Sequence, residues 1–124
     1  MIGPRMKQGY IIKRLEDAVS VPCPCGQARR ILTAEDNELL SIHRVSIRTE
    51  GRKHYHTRLT EYYVILSGTG EIELDDDRVE VKPGDVVMIP PGTRHAARGD
   101  FEILNVVCPP FDPEDEHDVE KGNA

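Results

Sequence analysis

From Glu71 onward the chain alternates apolar and polar residues in short runs cut by glycine, proline and aspartate, and this pattern constrains the fold more than any other feature. A two-residue period cannot bury one face of a helix, but it can bury one face of a strand. Ile72 and Leu74 alternate with Glu71 and Glu73, and beyond Asp75-Asp76-Asp77, Val79 and Val81 alternate with Arg78, Glu80 and Lys82. The spacing predicts a hairpin with one wet face. Pro83-Gly84-Asp85 reads as the next turn, Val86–Ile89 as a buried strand, Pro90-Pro91-Gly92-Thr93 as another turn, and 101–107 as a closing strand. Upstream, Leu39, Ser41, His43, Val45 and Ile47 share one strand face, turning inward toward its C-terminal half, while Leu40, Ile42, Arg44, Ser46 and Arg48 share the other. A further short strand is expected over 28–33. Helical periodicity persists nowhere, so the expected class is all-β, a small sandwich or barrel, with Val45, Ile47, Ile65, Val87, Ile89 and Leu104 in its core.

The chain has 124 residues, enough for one domain with a real core. Its formal net charge of -6 argues against nucleic-acid binding, which needs a clustered basic footprint. Most of that charge is local, because Asp112, Glu114, Asp115, Glu116, Asp118 and Glu120 face only Lys121 near the C-terminus. The expected organisation is one domain over 1–111, with an N-terminal strand extension, and an acidic, frayed tail over 112–124. No apolar block suits a signal peptide or a membrane span, so no membrane partner is expected. Three cysteines, two of them in Cys23-Pro24-Cys25, make a poor disulfide framework and lack the second ligand pair of a zinc knuckle. A reducing cytoplasm is the expected location.

Chemistry concentrates in GRKHYHTRLTEYYVILSG, residues 51–68. If 53–57 is extended, His54 and His56 point to one side and Tyr55 to the other, and a short connection brings Glu61 in at the head of the next strand. Glu61 then shares a face with Tyr63 and Ile65, where a carboxylate is costly to bury without a partner. A metal ion is a natural one. His95 follows the turn Ile89-Pro90-Pro91-Gly92-Thr93 and heads another strand.

Gly51, His54, His56, Glu61 and Gly68 resemble the first motif of the cupin superfamily, and Gly84, Pro90, Gly92 and His95 resemble the second, with a short segment between them as in small bacterial single-domain cupins. The resemblance implies an antiparallel jelly-roll β-barrel, the double-stranded β-helix, holding one divalent transition metal ion on His54, His56, Glu61 and His95. Three imidazoles and one carboxylate suit Mn, Fe, Co, Ni, Cu or Zn. The second motif departs from the pattern at Gly99, where many cupins carry a non-ligating Asn. Thiol dioxygenases resemble cupins that have lost the glutamate ligand, so Glu61 disfavours that activity.

Three further residues are pocket candidates. His43 can line the pocket as proton shuttle or hydrogen-bond donor, or serve as a core histidine. Tyr63 can orient a ligand or simply form wall. Cys25 can approach the barrel mouth or fill space beside Gly26. Arg29 and Arg30 can greet an anion or lie exposed on an edge strand. Two function classes follow: a metal-dependent enzyme, oxygenase or lyase/isomerase, on a small organic acid, sugar or phenolic compound; or a non-catalytic metal-containing module that binds or senses a small molecule. The resemblance also implies a homodimer, with Leu40, Ile42, Tyr62, Val64 and Leu66 as apolar outer surface.

Overall fold

The computed structural model describes residues 9–48 and 51–119. Among the described residues nine strands run in order: β1 (Ser20–Cys23), β2 (Gly26–Leu32), β3 (Ser41–Ile47), β4 (His54–Tyr55), β5 (Thr60–Leu74), β6 (Asp77–Val81), β7 (Val86–Ile89), β8 (His95–Cys108) and β9 (His117–Asp118). All pairings are antiparallel. The only helical pieces among the described residues are 3-10 turns at Leu15–Asp17 and Pro113–Asp115. The fold is the expected jelly-roll barrel.

β8 is the spine. One edge pairs with β5 along its whole length, from Cys108 opposite Thr60 to His95 opposite Leu74. The other edge pairs with β3 through 101–107 and with β4 at His95. Strand pairing therefore runs on through Gly68 and Gly99, and β5 and β8 are single strands that bend. Both bend at the same corner. Gly70 lies opposite Gly99, and a Cβ built on Gly70 would fall 2.4 Å from the Phe101 ring and 2.5 Å from the Arg98 carbonyl oxygen. Gly99 has φ of +130°, and its added Cβ would meet Gly70 Cα at 2.8 Å. The Asn expected at Gly99 from the family pattern would not fit so close an approach. A register shift between Ile65 and Ser67 adds to the bend.

The core is built from alternate residues of these strands: Val45 and Ile47 on β3, Tyr63 and Ile65 on β5, Phe101 and Ile103 on β8, closed by Ile72, Val81 and Ile89. Leu104 and Val87 are only half-buried, and Val86 and Met88 are exposed. For Leu104 the sequence reading fails on parity, whereas Val87 lies on the expected face and packs, partly buried, against the core. In β8 the inward set is Phe101, Ile103, Asn105 and Val107, so a buried Asn displaces Leu104 to the outer face. β7 alternates, with Ile89 and Val87 toward the core and Val86 and Met88 on the outer face.

The segment 112–119, expected as a frayed tail, is docked as far as it is described. Asp112 caps the turn at Pro113–Asp115 by accepting from the Glu114 N–H, and β9 pairs with β4, placing His117 opposite Tyr55 and Asp118 opposite His54. The Asp115 carboxylate is buried and accepts from the backbone N–H of Thr57 at 2.9 Å and of Arg58 at 2.8 Å, as well as from the Thr57 hydroxyl. Residues 120–124 lie outside the described residues.

Candidate metal centre

β4 is extended, so His54 and His56 face inward while Tyr55 turns out, stacked on His117 with Arg94 4.6 Å from its ring centre. His95, at the start of β8, pairs directly with His54, and Glu61, near the start of β5, faces the same space. The ligand-capable atoms of His54, His56, Glu61 and His95 lie within 4.8 Å of one another, and all four side chains are buried. These four are the set implied by the two motifs. Strand pairing of β4 with β8 brings the halves together.

Hydrogen bonds orient the rings. His54 Nδ1 lies 2.9 Å from the Arg52 carbonyl oxygen and His95 Nδ1 2.9 Å from that of Thr93. A carbonyl only accepts, so each Nδ1 carries the proton and each Nε2 is turned inward. His95 Nε2 then lies 3.0 Å from Glu61 Oε1. A bare Nε2 and a carboxylate oxygen are both acceptors, so a cation, proton or metal, must lie between them. His56 Nδ1 is 3.6 Å from the same oxygen, and His56 Nε2 is buried without a partner. An orphaned imidazole nitrogen beside facing acceptors fits a divalent ion.

Electrostatics agree with this. Burial alone raises the Glu61 pKa, but His95, His56 and the Asn105 amide outweigh it and hold the carboxyl down at about 2. Burial, then the neighbouring His95, lowers His54 to about 4, and burial lowers His56. Ligands that are ionised carboxylate and neutral imidazole at neutral pH are the forms that coordinate.

The cluster borders a cavity of about 350 Å3 open to solvent, lined also by all three pocket candidates. His43 is buried, with Nε2 2.8 Å from the Ser41 hydroxyl, and burial and then Arg30 lower its pKa to about 4. Tyr63 is buried, which pushes its phenol up. Cys25 is buried beside Gly51, its Sγ 3.9 Å from that of Cys23. The hydrogen bond with Cys23, then burial, raises the Cys25 thiol, while Cys23 is lowered to about 7. Arg30 reaches the cavity; Arg29 points away from it, opposite Arg44.

Two residues were missed by the sequence reading. Asn105 lies opposite both His43 and Tyr63, and its amide donates to Glu61 Oε2 at 2.8 Å. The one signal was a polar residue at the inward parity of a strand otherwise made of apolar ones. Asp115, which anchors the chain between His56 and Glu61, was hidden among the acidic residues of the tail.

A jelly roll with a buried three-histidine, one-glutamate cluster beside a cavity defines a barrel protein whose site suits a metal ion. The chain belongs to the cupin family: residues 42–107 match the Cupin domain. It is similar to a crystal structure of a protein from Planctomyces limnophilus, 35% identical, covering 87% of this chain and 95% of that one with a TM-score of 0.81. The Streptomyces protein Pac13, described as a nucleoside dehydratase, shares the fold at 21% identity and a TM-score of 0.78, covering 90% of this chain and 92% of its own. Among curated relatives, an uncharacterized Aquifex aeolicus protein is 28% identical over 88% of this chain and 93% of its own length. The uncharacterized protein MJ1618 of Methanocaldococcus jannaschii is 39% identical, but the match spans 50% of this chain and only 53% of that relative.

Proposed function

We propose that this protein is a metal-dependent enzyme of the lyase/isomerase type acting on a small polar organic molecule, with a divalent transition metal ion held by His54, His56, Glu61 and His95. The observation that carries the reading is the position of His54, His56 and Glu61 on the wall of an open cavity, with the buried His95 against Glu61 beside them, rather than in a closed core. Structural metal sites are closed, whereas catalytic ones keep positions for water or substrate. A divalent ion there supplies Lewis acidity toward a substrate oxygen.

The protein's own groups support hydrogen bonding beside that oxygen. Burial keeps His43 neutral at neutral pH, so its ring can exchange hydrogen bonds with a substrate hydroxyl within the cavity. Asn105 holds Glu61 in place, and Tyr63 forms the wall beyond it. Fold neighbours include Pac13, described as a nucleoside dehydratase, and an ectoine synthase from P. lautus, which supports lyase-type chemistry over oxygen insertion. The cysteines among the described residues are all free, in keeping with a reducing, cytoplasmic setting.

Elemental analysis tests the site. The wild type should carry near-stoichiometric metal, Glu61→Gln much less and His95→Ala least, while all three keep a β-rich circular dichroism spectrum. Equal metal content in the three would defeat the assignment.

A further inference from the structure

The inner wall beside the metal ligands carries a polar row. Arg30 on β2 pairs with His43 on β3, His43 with Asn105 on β8, and Asn105 with Tyr63 on β5. Directly paired residues project from the same face of a sheet, so these side chains form one line across four strands. The next inward line toward the core is Ala28, Val45, Ile103 and Ile65, wholly apolar. The polar line is therefore a local feature of the cavity wall, and all four of its members line the cavity.

Arg30 stands at the outer end, its guanidinium 5.2 Å from the centre of the Phe111 ring. Among the described residues no carboxylate lies within ion-pair distance of it. Arg52, the other arginine on the cavity, is already paired with Asp118 at 2.6 Å and Glu116 at 3.4 Å. Phe111 is itself fixed, its backbone N–H donating to the Ser41 hydroxyl that contacts His43. The ring gives Arg30 a platform without neutralising it. At the inner end, Asn105 gives its N–H to Glu61, which as a carboxylate can only accept, so the amide orientation is fixed and Oδ1 remains a buried acceptor without a donor. A divalent ion against the single carboxylate of Glu61 leaves net positive charge beside it.

The geometry points to a hydroxylated carboxylate as the molecule this cavity takes, its carboxylate paired with Arg30 and a hydroxyl at the metal end, donating toward Asn105. The inference rests on the proposed metal site for the hydroxyl end; the carboxylate end stands on Arg30 alone. Strand spacing sets the Cα atoms of Arg30 and Asn105 roughly 10 Å apart, a span suited to a short polyol acid. A guanidinium matches a planar carboxylate through two parallel hydrogen bonds. Arg30 is thus a specificity-determining residue, and neutral sugars and phenols lack the charge it selects.

The test is calorimetric titration with D-gluconate, with D-glucitol as the same polyol lacking the carboxylate, and with hexanoate as a carboxylate lacking hydroxyls. Each is run on metal-free and Co2+-loaded protein. Gluconate should bind at least about tenfold more tightly than glucitol in both states, and more tightly than hexanoate in the loaded one. Arg30→Gln should erase the preference over glucitol, Arg30→Lys should keep part of it, and Arg29→Gln should keep all of it. Equal binding of gluconate and glucitol, no binding of gluconate in either state, or an undiminished preference in Arg30→Gln would overturn the assignment. Inorganic phosphate displacing gluconate at equal concentration would overturn the choice of carboxylate. Failure to load Co2+ would count against the metal site instead, while the metal-free titrations still decide the role of Arg30.

Discussion

At the scale of single residues, the site depends on groups whose charge is set by burial and by hydrogen bonds. Asp115 is the clearest case: burial raises its pKa, but donors from Thr57 and Arg58, with His117, outweigh that and hold it well below the usual carboxylate range. A depressed folded pKa stabilises fully above the unfolded value near 3.8, and the contribution is lost as pH falls below it. Asp115→Asn removes an acceptor from a buried pair of N–H groups and should cost about 1–3 kcal/mol in chemical denaturation at pH 7. The difference from wild type should shrink in acid, and a difference independent of pH would contradict the role. His43 and His54, both lowered to about 4, act at higher pH. The unfolded chain binds their protons below about 6.5 while the fold resists until about 4, so stability should decline across that window. Metal occupancy, followed by equilibrium dialysis, should hold until the pH approaches about 4, where the folded His54 protonates, because protonated imidazole does not coordinate.

At the scale of elements, the β5–β8 ribbon and its corner decide whether the ligands meet. Glu61 and His95 sit near the starts of these strands, and the ribbon bends between them at Gly70 and Gly99. Gly70→Ala places a methyl group against the Phe101 ring and the Arg98 carbonyl, so ring and backbone must both shift. The expected cost is about 1–3 kcal/mol, read as a lowered midpoint in urea with an unchanged slope. Gly84→Ala is the useful comparison: it too has positive φ, at +97°, but its added Cβ meets nothing within 4 Å. It should cost only about 1 kcal/mol from backbone strain. Equal effects at the two positions would show that close packing at the corner is not what selects glycine.

At the scale of the whole molecule, the outer sheet face carries an apolar surface. Met88, Tyr62, Val106 and Ile42 lie in register across four strands, and Val86, Val64 and Leu104 form the next line. Met88 and Val86 are exposed, and Leu66 is exposed at the bend. We propose that two copies pair through this face. Val86→Lys with Met88→Glu should convert a dimer to a monomer in sedimentation velocity while leaving metal content intact. A wild type that is monomeric at high micromolar concentration would rule the pairing out.

Much of this was legible in the chain. The two-residue period identified strands because a pleated chain shows alternate residues to opposite faces, and the histidine spacing in β4 placed two ligands on one side for the same reason. The family pattern supplied Glu61 and His95. What periodicity could not decide was which face of a strand turns inward once polar residues occupy both, as Asn105 and Leu104 show on β8. Nor could it show that two predicted strands are one strand bent at a glycine, because glycine is common to turns and to corners. The docking of Asp115 against Thr57 and Arg58, and the row from Arg30 to Tyr63, join residues far apart in sequence. Such contacts depend on cross-strand register, and register is settled only when the whole barrel closes and every inner face competes for the same core.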